Sequence, residues 1–172
     1  WVYRKEIKIP EDWEIKNLEQ ISEKLVSGGT PSTKISNYWN GEIPWTRSAV
    51  LTKMYADNGE QMISHKGLKN SSATIIPKGN LLVASRVSLG NLSINIIDIA
   101  INQDVTGILV DKSKTLTEFL YWFLNQNIKI PISYSQGMTI KGFTRKELSK
   151  LLILIPKLEE QNITSQIRRA SV

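Results

Sequence analysis

The chain has 172 residues, 41% of them hydrophobic, with a formal net charge of +6 and an isoelectric point near 9.5. That size suits one domain with a core plus a terminal extension, and the charge favours a polyanionic partner, although the Lys and Asn content also fits an AT-rich genome. The absence of cysteine excludes disulfides, thiolate metal sites and a cysteine nucleophile. No run approaches the ~20 apolar residues of a membrane span, and the polar start with Glu6, Glu11, Asp12 and Glu14 is unlike a signal peptide, so a cytoplasmic location without membrane attachment is expected.

From Asp12 to Val26, apolar Ile15, Leu18, Ile21 and Leu25 recur at spacings of three and four and predict an amphipathic helix. Gly28-Gly29 stops it, and Thr30-Pro31-Ser32 continues as a loop. Asn37 to Arg47 mixes aromatics with turn residues and reads as a turn entering a short strand, with Trp39 and Trp45 in the core. Between Thr74 and Val110 the pattern becomes β-rich. Runs at Thr74–Ile76, Leu81–Ala84, Leu92–Ile96 and Thr106–Val110 are separated by Pro77-Lys78-Gly79 and Ser88-Leu89-Gly90-Asn91 turns, which predicts a meander or small mixed sheet.

Thr115-Leu116-Thr117-Glu118 matches a capping box, in which hydroxyl and carboxylate satisfy free N–H groups at a helix start. The helix behind it is expected to bury Leu116, Phe119, Leu120, Phe123 and Leu124. A second capping box, Thr144-Arg145-Lys146-Glu147, opens a short helix, and Leu151 to Pro156 reads as a strand buried on both faces. From Leu158 the pattern is helical again, with Ile163 and Ile167 four residues apart. An isolated helix of that length is marginal in water, so it either packs back on the domain or continues in a longer chain. The fold class expected is therefore α+β: a single compact domain over residues 1–157 with a small mixed or antiparallel sheet and flanking helices, followed by residues 158–172.

Catalytic chemistry is poorly represented. The single His65 has no marked nucleophile or acid beside it and reads as an ordinary loop or surface residue. No histidine or cysteine cluster for a metal can be assembled, and no glycine-rich phosphate loop is present. Asp98, Asp104 and Asp111 are spread over separate elements, which leaves a small Mg²⁺-dependent nuclease as an alternative; a protein-interaction module is another. Charge, by contrast, is concentrated: from Lys129 to Lys157 there are six basic residues against the single acid Glu147. Within that stretch, Gln136 to Arg145 joins a glycine-punctuated polar loop to the Thr144 helix start, as a surface holding a phosphate backbone would.

Ordered pieces along almost the whole chain carry a resemblance. They are Ile9-Pro10-Glu11-Asp12-Trp13-Glu14, Gly28 to Ser32, Tyr38 to Trp45, Ile76 to Leu82 and Ser85 to Gly90, then Ile101-Asn102-Gln103-Asp104, Gln136-Gly137 with Lys141-Gly142, and Ile153 to Gln161. In this order they resemble one target-recognition domain of the specificity (S) subunit of type I restriction-modification enzymes. The resemblance implies a non-catalytic reader of one half of a bipartite double-stranded DNA site. It implies that partner methyltransferase (M) subunits use S-adenosylmethionine on adenine N6, and that a restriction (R) subunit cleaves with ATP and Mg²⁺, so that no cofactor belongs to this chain. It also implies that residues 158–172 begin a spacer helix pairing antiparallel with a counterpart, from a second recognition half or a second copy.

For base reading, Arg47, Arg86 and Lys141 are the candidates, because their donors suit guanine O6 and N7; Gln136 suits adenine N6 and N7. Arg47 and Arg86 equally suit a surface salt bridge or a structural hydrogen bond. Lys53, Lys66, Lys69, Arg145 and Lys146 are candidates for phosphate contacts, which set position without reading sequence. Gln103 and Asp104 are expected to form a buried hydrogen-bonding pair, and Gly142 to act as a hinge between Lys141 and Arg145.

Overall fold

The structure, a computed structural model, describes residues 9–128 and 142–171. The helix expected over Asp12–Val26 does not form. In its place lie strand β1 (Glu14–Asn17), a 3-10 turn (Leu18–Ile21) and strand β2 (Ser22–Ser27). The turn closes locally: the Asn17 side chain accepts from the Gln20 N–H at 3.0 Å, and the Gln20 side chain accepts from the Asn17 N–H at 2.9 Å. Leu18 and Ile21 are fully buried, so their three-residue spacing fits the three residues per turn of a 3-10 helix rather than an α-helical face. Ile15, by contrast, is 56% exposed. Long-range pairing decides the rest, because β1 runs antiparallel to β11 (Leu152–Ile155) and β2 antiparallel to β10 (Val105–Val110).

Two larger sheets form the body. The five-stranded sheet has the order β2-β10-β7-β8-β4, with β4 at Tyr55–Ala56, β7 at Leu81–Ala84 and β8 at Leu92–Asn95. The four-stranded sheet has the order β5-β3-β9-β6, with β3 at Trp39–Thr46, β5 at Gln61–Ile63, β6 at Thr74–Ile76 and β9 at Ile99–Ile101. Both are mixed, since β3 with β9 and β4 with β8 run parallel and the other pairs antiparallel. The four β-runs legible in the sequence are thus divided between two sheets, and β9 joins them. Strand alternation places Leu81 and Val83 in one core and Leu82 in another, which is why Leu81–Ala84 reads as an unbroken apolar run. The second core, with Ile76, Ile99, Ile101 and Val105, lies between the two sheets. A third, Ile43, Trp45, Ile63 and Ala100, lies on the far side of the four-stranded sheet, where Leu68 of helix α1 (His65–Lys69) covers it. His65 is exposed on α1, in keeping with a surface role.

Helix α2 (Thr117–Asn127) covers the other face of the five-stranded sheet, burying Phe119, Leu120, Tyr121 and Leu124. Leu116 and Phe123 are only partly buried. Its expected capping box is absent: Leu116 is the N-cap, and the Thr115 hydroxyl donates instead to Gln161 Oε1 at 3.0 Å. The second capping box forms as expected at α3 (Arg145–Ser149). β11 is buried on one face only, with Ile153 and Ile155 inward and Leu152 69% exposed, because its sheet has just two strands.

The last helix, α4 (Leu158–Ala170), packs back against α2. Gln161, with no exposed surface, fixes it. Its carbonyl oxygen accepts from Thr115 Oγ1 and from the Leu116 N–H at 2.8 Å, while its Nε2 donates to the carbonyls of Lys114 at 3.2 Å and Pro156 at 2.9 Å. At the far end of the helix, Arg169 pairs with Glu118 of α2.

Candidate nucleic-acid interface

Five segments far apart in sequence meet at one end of the two sheets, and each is stitched to the next by hydrogen bonds. The Gly28-Gly29-Thr30 loop lies against the end of β9, where the Gly29 N–H donates to the Ile101 carbonyl at 3.0 Å. A Cβ at Gly28 would collide with that same carbonyl, so glycine is required by close approach. Trp45, 2% exposed, donates from Nε1 to the Gly29 carbonyl at 3.0 Å and meets Trp39 edge-on at 5.4 Å. Both tryptophans therefore serve packing, as expected.

Beyond β3, Asn102 N–H donates to the Thr46 carbonyl at 3.1 Å, which ties the β9–β10 turn to the base of Arg47. Asn102 is buried, and its side chain donates to Asp104 Oδ2 at 3.0 Å and accepts from the Asp104 N–H at 3.1 Å. The Asp104 carbonyl in turn accepts from the Ser85 N–H at 2.8 Å. The Ser85 carbonyl accepts from the Phe143 N–H at 2.7 Å, so the end of β7 holds the segment that enters α3. Gly142 sits in the left-handed region with φ of 135°, and a Cβ there would strike the Ser85 carbonyl. It is a fixed corner in this structure.

Two grooves share Thr144 and Arg145. One, of about 300 Å³, is lined by Ser85, Arg86, Gln103, Gly142 and Arg145 among others. The other, of about 680 Å³, runs between β2 and α3 and is lined by Lys24, Lys146 and Lys150 together with Glu19 and Glu23. The structure therefore brings Arg86, Arg145 and Lys146 together. Among the described residues, none of the three pairs with a carboxylate.

The remaining candidates sit elsewhere. Arg47 follows β3 and is exposed, but its guanidinium is engaged by Glu60, with Nε donating to Oε2 at 2.8 Å. The salt-bridge alternative is the one realised. The shared hydrogen bond raises the Arg47 pKa and lowers that of Glu60. Lys53 borders a separate groove of about 430 Å³ with Tyr55, Glu60 and Ser93, and Lys66 and Lys69 are exposed on α1. Neither groove at Arg145 includes them. Gln136 and Lys141 lie outside the described residues.

Two expectations change. Gln103 is exposed, not buried with Asp104: its Oε1 accepts from Thr30 Oγ1 at 2.7 Å, and the buried partner of Asp104 is Asn102. The start of α3 is also less open to an anion than its capping box suggests. Thr144 N–H and Oγ1 both donate to Glu147 Oε2, at 2.7 and 2.8 Å, and Glu147 N–H donates back to Thr144 Oγ1 at 3.1 Å. The Thr144 backbone bond is the first cause holding the Glu147 carboxyl below its usual value, so a carboxylate already occupies the positive end of this short helix.

The carboxylates considered for a metal are dispersed. Asp98 accepts from the Lys78 N–H, Asp104 from Asn102, and Asp111 from Ser113 and Lys114. Among the described residues no group of three His, Cys, Asp or Glu side chains is placed to hold a metal. Nor is any helix there long and apolar enough to cross a membrane.

An α+β body that gathers cations from the end of β7 and the start of α3 at one end has the character of a surface-reading module. Residues 10–167 match the model of the type I restriction modification DNA specificity domain, and the chain belongs to that family. It is 35% identical over 162 residues to the type I restriction enzyme MjaIX specificity subunit of Methanocaldococcus jannaschii, covering 90% of this chain and 36% of that protein. The fold matches a chain from a structure of complex assembly and conformational transition in a type I R-M system, with TM-score 0.74 and 18% identity over 97% of this chain and 41% of that one. It also matches the HsdS subunit from Thermoanaerobacter tengcongensis, with TM-score 0.68 and 17% identity over 95% of this chain and 38% of that one. The chain thus spans little more than a third of the proteins it matches.

Proposed function

We propose that this chain reads one half of a bipartite double-stranded DNA sequence for a type I restriction-modification complex. It directs adenine N6 methylation or restriction by partner subunits and performs no catalysis itself. S-adenosylmethionine belongs to the methyltransferase subunits, ATP and Mg²⁺ to the restriction subunit. The observation that carries this reading is the convergence of Arg86, Arg145 and Lys146 on adjoining grooves within the residues 10–167 that match the family. Cations free of carboxylate partners are available to phosphates and base edges, whereas paired ones are not.

Helix α4 suits the spacer role. Ile163 and Ile167 are exposed one turn apart, with Glu159 and Glu160 in its first turn and Arg168 and Arg169 in its last. Antiparallel pairing with a counterpart, from a second recognition half or a second copy, sets acid against base while covering the isoleucines.

The test is equilibrium binding of the chain to duplex DNA across a salt series, together with methylation-aware sequencing of host DNA with and without the gene. Affinity should fall steeply with salt, and one split adenine-methylated motif should vanish with the gene. Failure to bind DNA at low salt, even with the methyltransferase partner present, overturns the reading. So does DNA cleavage by the chain alone in Mg²⁺.

A further inference from the structure

We propose that the depression between the end of β7, the β9–β10 turn and the start of α3 is a seat for a single DNA backbone phosphate, formed by Arg86, Arg145 and Gln103. The inference rests on the DNA-reading function proposed above and assigns a role within it. It also moves Arg86 from base reading to anchoring, and gives Gln103 a contact that its sequence context did not suggest.

Two arginines line the depression, and the arginine side chain offers donors only. Gln103 would ordinarily offer both a donor and an acceptor. Here Thr30 Oγ1 donates to Oε1 at 2.7 Å, which leaves the Nε2 donor without a partner among the described residues. Ser85 and Thr144 are already engaged, Ser85 Oγ with the Asp104 carbonyl at 3.2 Å and Thr144 Oγ1 with Glu147. No carboxylate is among the described residues lining the depression. A depression lined by two arginines and, among the described residues, by no carboxylate complements an anion whose oxygens only accept, and a phosphodiester is such a ligand.

Rigidity supports the same assignment. The turn carrying Gln103 is pinned on both sides by the Asn102–Thr46 and Ser85–Asp104 backbone bonds. The segment carrying Arg145 is pinned by the Phe143–Ser85 bond. A contact that sets register gains from donors held in place before binding.

The experiment uses the full chain and a duplex selected from a random pool, in which each phosphate in turn is replaced by a neutral methylphosphonate. One linkage should weaken wild-type binding when neutralised, and Arg86→Ala and Gln103→Ala should each lose sensitivity at that linkage. Arg86→Ala should lower the slope of log K against log salt by about 0.9, the share of one phosphate, with base preference unchanged. Thr30→Val should weaken all sequences alike, and Arg86→Lys, which keeps the charge, should restore the slope. Far-UV circular dichroism and thermal melting of each variant separate misfolding from lost contact. A changed preferred base in Gln103→Ala or Arg86→Ala with the salt slope intact makes these residues readers and overturns the proposal. Folded variants that bind like wild type overturn it as well. If the wild-type chain binds no duplex at all, the broader DNA-reading function fails, an outcome distinct from the other two.

Discussion

The Phe143 N–H donates to the Ser85 carbonyl at 2.7 Å. One bond thereby joins the residue before Arg86 to a residue two before Arg145. Neither arginine can shift along the surface without disturbing the other, and Gly142 provides the corner that makes the approach possible.

Gly142→Ala should therefore damage both cations together. The positive φ and the clash with the Ser85 carbonyl should cost about 2 kcal/mol in stability, the range expected for a strained backbone. A urea titration should show a lower midpoint, and DNA affinity should fall for every sequence alike.

Lys141 and Arg145 should part company in a selection from random duplexes. Lys141→Ala should change the preferred sequence, whereas Arg145→Ala should weaken all sequences and flatten the salt dependence. The opposite pattern would exchange their roles.

Glu60 holds Arg47, so Glu60→Gln should release a guanidinium and remove a negative charge from the same face. Duplex binding at low salt should strengthen, and the gain should disappear in the double variant with Arg47→Ala. A double-mutant cycle on binding affinity reads the coupling.

Gln161→Leu should lower stability by about 3 kcal/mol, because the substitution strands the Thr115 hydroxyl, the Leu116 N–H and two carbonyls that Gln161 now satisfies. Denaturant unfolding followed by circular dichroism measures it. A near-neutral result would mean that α4 detaches without cost.

Acid should loosen the approach to α2. Hydrogen bonds from Lys114 and then Ser113 lower the Asp111 pKa to about 2, below an unfolded value near 3.9. A depressed folded pKa stabilises above the unfolded value, and the contribution is lost as pH falls from about 4 through about 2. Melting temperature should decline over that window in wild type, and the decline should be shallower in Asp111→Asn.

Which features were legible in the sequence follows from how locally each is determined. Thr144-Glu147 reads correctly because its capping bonds span three residues and nothing distant competes. Thr115-Glu118 carries the same pattern, yet Gln161 claims the Thr115 hydroxyl and Arg169 the Glu118 carboxylate. Leu81–Ala84 is legible because both of its faces are buried, and the run is apolar throughout. The Ile15, Leu18, Ile21 and Leu25 spacing misleads, since pairing with β11 and β10 overrides a periodicity that a 3-10 turn satisfies equally well. At the interface, charge announced Arg86, Arg145 and Lys146 but not their convergence. Gln103 was hidden because an amide between two apolar segments looks the same whether buried or at the apex of a turn.

The antiparallel clasp of β1 with β11 sets Glu14, where the chain enters its first strand, about one strand spacing, near 5 Å, from Ile155, where it leaves its last strand for α4. A unit whose two ends leave side by side behaves as a cassette: another polypeptide can accept it at a single surface loop without parting its own strands.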